Sequence, residues 1–87
     1  MIRIERFCLS DNGIIEANVK EFLDVKDVEG KAYLWVITDT ELPRAKFFVN
    51  PIGENVPVPK KVLEHARFIG TTVEFGNTWH WFLNGVK

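Results

Sequence analysis

Ile2 and Ile4 alternate with Arg3 and Glu5 in "MIRIERF", and this period of two predicts a strand over residues 2 to 8. "SDNG" follows, and Asn12-Gly13 is a turn signal because both residue types tolerate positive φ. Residues 14 to 18 and 20 to 28 continue as a second and third strand, or as one bent strand. Glu29-Gly30 turns the chain into "KAYLWVIT", the most β-prone run. Tyr33, Trp35 and Ile37 share one face of that strand and Leu34, Val36 and Thr38 the other; apolar on both sides, it is expected to be a central strand.

"TDTELPR" reads as a loop and "AKFFVN" as a short strand. "PIGENVPVP" holds Pro51, Pro57, Pro59 and Gly53, which excludes a central strand and predicts a structured loop. From Pro59 the spacing turns helical. Val58, Val62 and Ala66 share a stripe flanked by Leu63, with Lys60, Glu64 and Arg67 on the wet side, so one helix of about two to three turns is expected over residues 59 to 67.

"RFIGTTVEF" and "TWHWFLN" then form two strands joined at Gly76-Asn77. A two-residue loop with Gly at its first position pairs Glu74 with Trp79, Val73 with His80 and Thr72 with Trp81. Val73, Phe75, His80 and Phe82 then share one side, expected to be the apolar one, while Trp79 and Trp81 share the other with Thr72 and Glu74. A three-residue loop would bring Val73 and Phe75 to the tryptophan side. Two outcomes stay open for the tryptophans: the helix stripe or Trp35 covers them, or they form a patch of the kind that marks a contact site. The pattern as a whole predicts a mainly β chain, one domain over residues 1 to 87, built as a single antiparallel sandwich or half-open barrel of about six strands with one short helix.

A chain of 87 residues buries only about 60–65% of the surface its unfolded form exposes, so the core is thin. Hydrophobic residues at 46% against 26% charged argue for a folded domain. The net charge of -1 removes bulk attraction to nucleic acid or membrane. Charge is nevertheless uneven: residues 16 to 29 carry Glu16, Glu21, Asp24, Asp27 and Glu29, and residues 44 to 67 carry Arg44, Lys46, Lys60, Lys61 and Arg67. An acidic face and a basic face are expected. The lone Cys8 excludes an internal disulfide and fits a reducing cytoplasm, and no apolar window is long enough for a membrane span. The expectation is a cytoplasmic protein without a membrane partner.

Catalytic chemistry is sparse. Ser10 and Cys8 are the sole serine and cysteine, and neither sits in a nucleophile signature; Cys8 with His65 or His80 has no spacing that joins them. No metal-ligand spacing links Cys8, His65, His80 and Asp39, and no Gly-rich phosphate loop occurs. Asp39, at the end of "VITD", is expected to cap a turn. No enzyme activity, metal or cofactor is expected.

"FLDVKDVEGKAYLWVITDTE", "NPIGENVPVP", "ARFIGTTVEF" and "TWHWF", over about residues 20 to 83, resemble a family of small β proteins encoded by phages and prophages. The resemblance rests on Gly30, Leu34, Trp35, Asp39, Pro57, Phe68, Ile69, Gly70, Thr71, Trp79, His80 and Phe82. Asp27 departs from it where an apolar strand residue belongs, and residues 59 to 67 look like an insertion. It implies a phage setting. The leading expectation is therefore a non-catalytic protein that occupies a host protein, with a defence or CRISPR effector as the target class. Its anchors are Trp79 and Trp81, its rim Glu74, Arg44, Lys46, Lys60, Lys61 and Arg67. A homodimer is compatible with the same patch. The alternatives are a small-ligand or nucleotide-binding sponge using Arg44, Lys46 or Arg67 for phosphates, and a single-stranded nucleic-acid binder.

Overall fold

A computed structural model describes residues 1–10 and 13–86. Asn12 lies outside the described residues, and the Asn12-Gly13 turn with it. Seven strands and one helix follow in order among the described residues: β1 (Ile2–Cys8), β2 (Ile14–Ala17), β3 (Val19–Val28), β4 (Lys31–Asp39), β5 (Ala45–Gly53), α1 (Lys60–His65), β6 (Arg67–Glu74) and β7 (Asn77–Val86). They form a three-stranded sheet, β1-β4-β3, and a four-stranded sheet, β2-β5-β7-β6, with every pairing antiparallel. The sheets pack face to face as a β sandwich.

β4 is central, as its two-sided apolar pattern predicts. Its inward set, Ala32, Leu34, Val36 and Thr38, is buried, while Tyr33, Trp35 and Ile37 lie half-buried on the outer face. Val25 from β3, Ile15 and Ala17 from β2, Val49 from β5, and Trp81 and Leu83 from β7 complete the core with Leu9. Among the described residues two polar ones are buried, and both have partners: the Trp81 indole N–H donates to Thr72 Oγ1 at 2.9 Å, and the Thr38 hydroxyl donates to Glu5 Oε2 at 2.6 Å. Such pairing removes the penalty that a buried hydroxyl or indole N–H would otherwise carry.

β5 runs further than expected, through Pro51 to Gly53, because only its first half is flanked on both sides. The Val49 N–H donates to the Gly13 carbonyl at 2.6 Å. Strand alternation points the Pro51 nitrogen the same way, past the start of β2, where no strand lies beside it among the described residues. A residue without an N–H forfeits no ladder bond there.

The last hairpin corrects three expectations. Its turn is Phe75-Gly76, with φ of 50° and 81°, between the paired Glu74 and Asn77, and not Gly76-Asn77. Positive φ at both central positions is the turn whose twist suits a hairpin, and it places Gly second where a first-position Gly was expected. Thr72 therefore faces Trp79 and Thr71 faces His80. The displacement is an even number of residues, so Trp79 and Trp81 keep company with Thr72 and Glu74 as predicted. The burial is the reverse of the prediction. Trp81 is 4% exposed and Trp79 packs against the core, whereas His80, Val73 and Phe82 lie on the outer side of the sheet. Burying one indole in this way is worth about 4–6 kcal/mol of transfer free energy.

What covers the tryptophan side is the facing sheet. Helix α1 spans six residues, shorter than expected, and none of them is buried. Val58 and Leu63 are exposed, so the stripe read from the spacing covers neither tryptophan. Among the described residues no helix is long and apolar enough to cross a membrane.

Candidate functional site

Once the indoles turn inward, the outward positions of the four-stranded sheet form the candidate contact surface. β7 sends Thr78, His80 and Phe82 outward, and β6 answers with Phe68, Thr71 and Val73. The Phe68 and Phe82 rings meet edge to face with centroids 5.7 Å apart, and the Phe68 ring lies 6.5 Å from that of His80. His80 Nδ1 is 3.1 Å from the Thr71 hydroxyl and its Nε2 is 3.7 Å from Glu54 Oε1, so both ring nitrogens have a polar neighbour. Across β7, Ile52 pairs with His80, and Phe48 and Ile14 extend the apolar strip over β5 and β2. Phe68 and Val73 are each 54% exposed. A contiguous strip of this kind differs from the scattered surface apolar residues that any protein carries.

At one end stands Phe75, 90% exposed with φ of 50°. Bulky residues rarely adopt that backbone conformation, so the hairpin holds an aromatic ring in water at a conformational cost. The β3–β4 turn is its neighbour: a methyl at Gly30 would touch the Phe75 ring at 3.5 Å.

The residues expected to bind are dispersed. Trp79 and Trp81 belong to the interior, which corrects their role as exposed anchors, and Glu74 is half-buried beside them and forms no exposed rim. Arg44 is taken up by Glu16, through Nη2 to its carbonyl at 2.8 Å and Nε to its carboxylate at 3.9 Å. Lys46 sits opposite the same Glu16 across β2 and β5. Lys60 pairs with Glu64 at 3.8 Å, while Lys61 and Arg67 are exposed. Acidic and basic residues thus interleave, and the expected separate charged faces do not form between Glu16 and the Arg44–Lys46 segment. Exposed pairs of this sort contribute little stability.

Cys8 lies on β1 opposite Tyr33, in the other sheet from His80, and His65 is 3.8 Å from Glu64 on the exposed helix. No group of three or more potential metal ligands occurs among the described residues. Asp39 does cap a turn, its Oδ1 accepting the Glu41 N–H at 3.1 Å, with the chain's amino terminus 4.0 Å away.

No curated protein and no solved structure matches the chain. The family described as Domain of unknown function (DUF7352) has a sequence model that matches residues 2–86, and the chain belongs to that family.

Proposed function

We propose that this chain is a non-catalytic binding domain that acts by occupying a partner protein, and that the outer face of the four-stranded sheet is its docking surface. The observation that carries the reading is the exposed aromatic strip Phe68–Phe82–His80, continued by Val73, with Phe75 exposed at the hairpin tip. Aromatic rings already stacked against one another lose little side-chain entropy on binding, and residues of this kind dominate interface energies. Glu54, 3.7 Å from His80, supplies a charge beside the strip that sets orientation and speed of association. A phage setting, the cytoplasm of a host cell and a host defence protein as target are parts of the same proposal, and they rest on the sequence resemblance.

The nucleotide-binding alternative draws less support, because Glu16 engages Arg44 and Glu64 engages Lys60, which leaves fewer cations for phosphate. The test is affinity capture from host lysate with the native chain and with Phe68→Ser/Val73→Ser. Both positions point outward, so the melting temperature is expected to stay close to native. The captured partner is expected to bind the double variant about 30-fold more weakly, the loss of roughly 2 kcal/mol typical of one hot spot. Unchanged partner affinity in a folded double variant overturns the proposed surface.

A further inference from the structure

The outer face of the three-stranded sheet carries a second apolar surface. β4 sends Tyr33, Trp35 and Ile37 out between two edge strands, while its inner set faces the other sheet. Register sets the rows across this face: Ile4, Ile37 and Glu21 stand side by side, and so do Arg6, Trp35 and Asp24. A bulge places Leu23 at the same surface, where Ile4, Leu23, Trp35, Asp24 and Lys26 line an open depression of about 410 Å³. Ile4 and Leu23 are 65% and 45% exposed, and with the half-buried Trp35 between them they form a contiguous patch.

Charge on this face is divided by edge. β1 carries Arg6, whose guanidinium lies 4.5 Å over the Tyr33 ring and meets no carboxylate among the described residues. β3 carries Glu21, unpaired among the described residues, and Asp24, whose ionic contact is the exposed Lys26 at 3.7 Å. A cation on one edge and carboxylates on the other make an apolar face complementary to itself. A two-fold axis running along β4 lays β1 of one copy over β3 of the next. Arg6 then stands over the second copy's Asp24, with its Glu21 one row away, and symmetry repeats the contact. Trp35 and Ile37 meet their own counterparts at the centre, and Lys26 falls over the second copy's Cys8, where no like charge opposes it.

We propose that two copies of this chain associate through the outer faces of their three-stranded sheets, with Arg6 and Asp24 as a reciprocal ion pair around an apolar centre of Ile4, Trp35 and Ile37. The nine residues of β4 and three strands span roughly 30 Å by 14 Å, or about 850 Å² of planar face over two copies, the lower end for a specific interface. So small a contact fits a weak dimer, with a Kd of about 10–100 µM. The inference is independent of partner docking, because the face-to-face pair leaves both four-stranded sheets pointing outward.

Sedimentation equilibrium of the native chain from about 5 to 500 µM is expected to show monomer passing to dimer, with no larger species. Arg6→Glu and Asp24→Arg are each expected to weaken self-association at least about 10-fold, since each sets like charges against one another twice. Mixed in equal amounts, the two variants are expected to form a heterodimer of near-native affinity, one ion pair being native and the other reversed in sign. Asp24 also accepts the Val25 N–H, so Ile4→Asp, at an exposed position, provides a second disruption where Asp24→Arg folds poorly. Phe68→Ser/Val73→Ser is expected to dimerise as the native chain does. A native chain that stays monomeric at every concentration leaves this face to a different protein and overturns the proposal. A dimer that survives in folded Arg6→Glu and Ile4→Asp, or is lost only in Phe68→Ser/Val73→Ser, puts the contact elsewhere and overturns it too. Folded charge variants that stay apart when mixed overturn the alignment along β4.

Discussion

Trp81 and Phe75 exchange the roles that their neighbours advertise. Period-two alternation correctly grouped Trp81 with Thr72 and Glu74, since any even shift of register preserves the faces. It misjudged which group was inside, because Val73, Phe75 and Phe82 are together more apolar than Thr72 and Glu74. The missed signal was chemical: a buried indole needs an acceptor for its N–H, and Thr72 supplies one at 2.9 Å while His80 finds polar partners outside. Phe75 carries the opposite lesson, an apolar ring 90% exposed in a left-handed backbone. Phe75→Asn removes that conformational penalty and turns the hairpin with a favoured Asn-Gly pair. It is expected to raise stability by about 1 kcal/mol in urea unfolding and to weaken partner binding. Lower stability would show that the ring's contact near Gly30 outweighs its backbone strain.

Among the elements, strands were the more legible and the helix the less so. β1 and β4 follow from alternation and from a two-sided apolar run, and both lie where the pattern puts them. α1 has the right spacing and too few turns to use it. Six residues, no side-chain cap and no buried member make it a connector, and tertiary packing rather than propensity sustains most helices. Leu63→Ala should therefore change stability by no more than about 0.5 kcal/mol. Gly70→Ala is the contrasting case. A β-bulge between Phe68 and Gly70 brings β6 against β3, and a methyl at Gly70 would come within 2.9 Å of Val25 Cβ and 3.2 Å of the Val25 carbonyl oxygen. The backbone has to move, at about 1–3 kcal/mol. Matched urea titrations of the two variants check the contrast, and a costly Leu63→Ala would mean that the helix packs more firmly than its burial shows.

At the scale of the molecule, a mainly β sandwich was readable from strand frequency and turn spacing. The division of strands between sheets was not, because pairings such as β2 with β5 and β1 with β4 join segments distant in the chain, and a single sequence carries no record of such partners. The candidate site shared that fate. Its aromatic composition was visible, but its address depended on which sheet face the other sheet would cover. One further property belongs to the assembled sheet alone. Beyond the short β2, the second half of β5 pairs with β7 alone among the described residues. The ring of Pro51 withholds one of the amides that strand alternation aims at its other flank, Gly53 carrying another, much as a blank tooth hinders a zipper. Pro51→Thr restores the amide and is expected to give concentration-dependent assemblies detectable by light scattering; a variant that scatters like the native chain at every concentration would deny the guard. One missing hydrogen thus makes this flank a poorer template for a second copy, while the edge strands β1, β3 and β6 keep amides of their own.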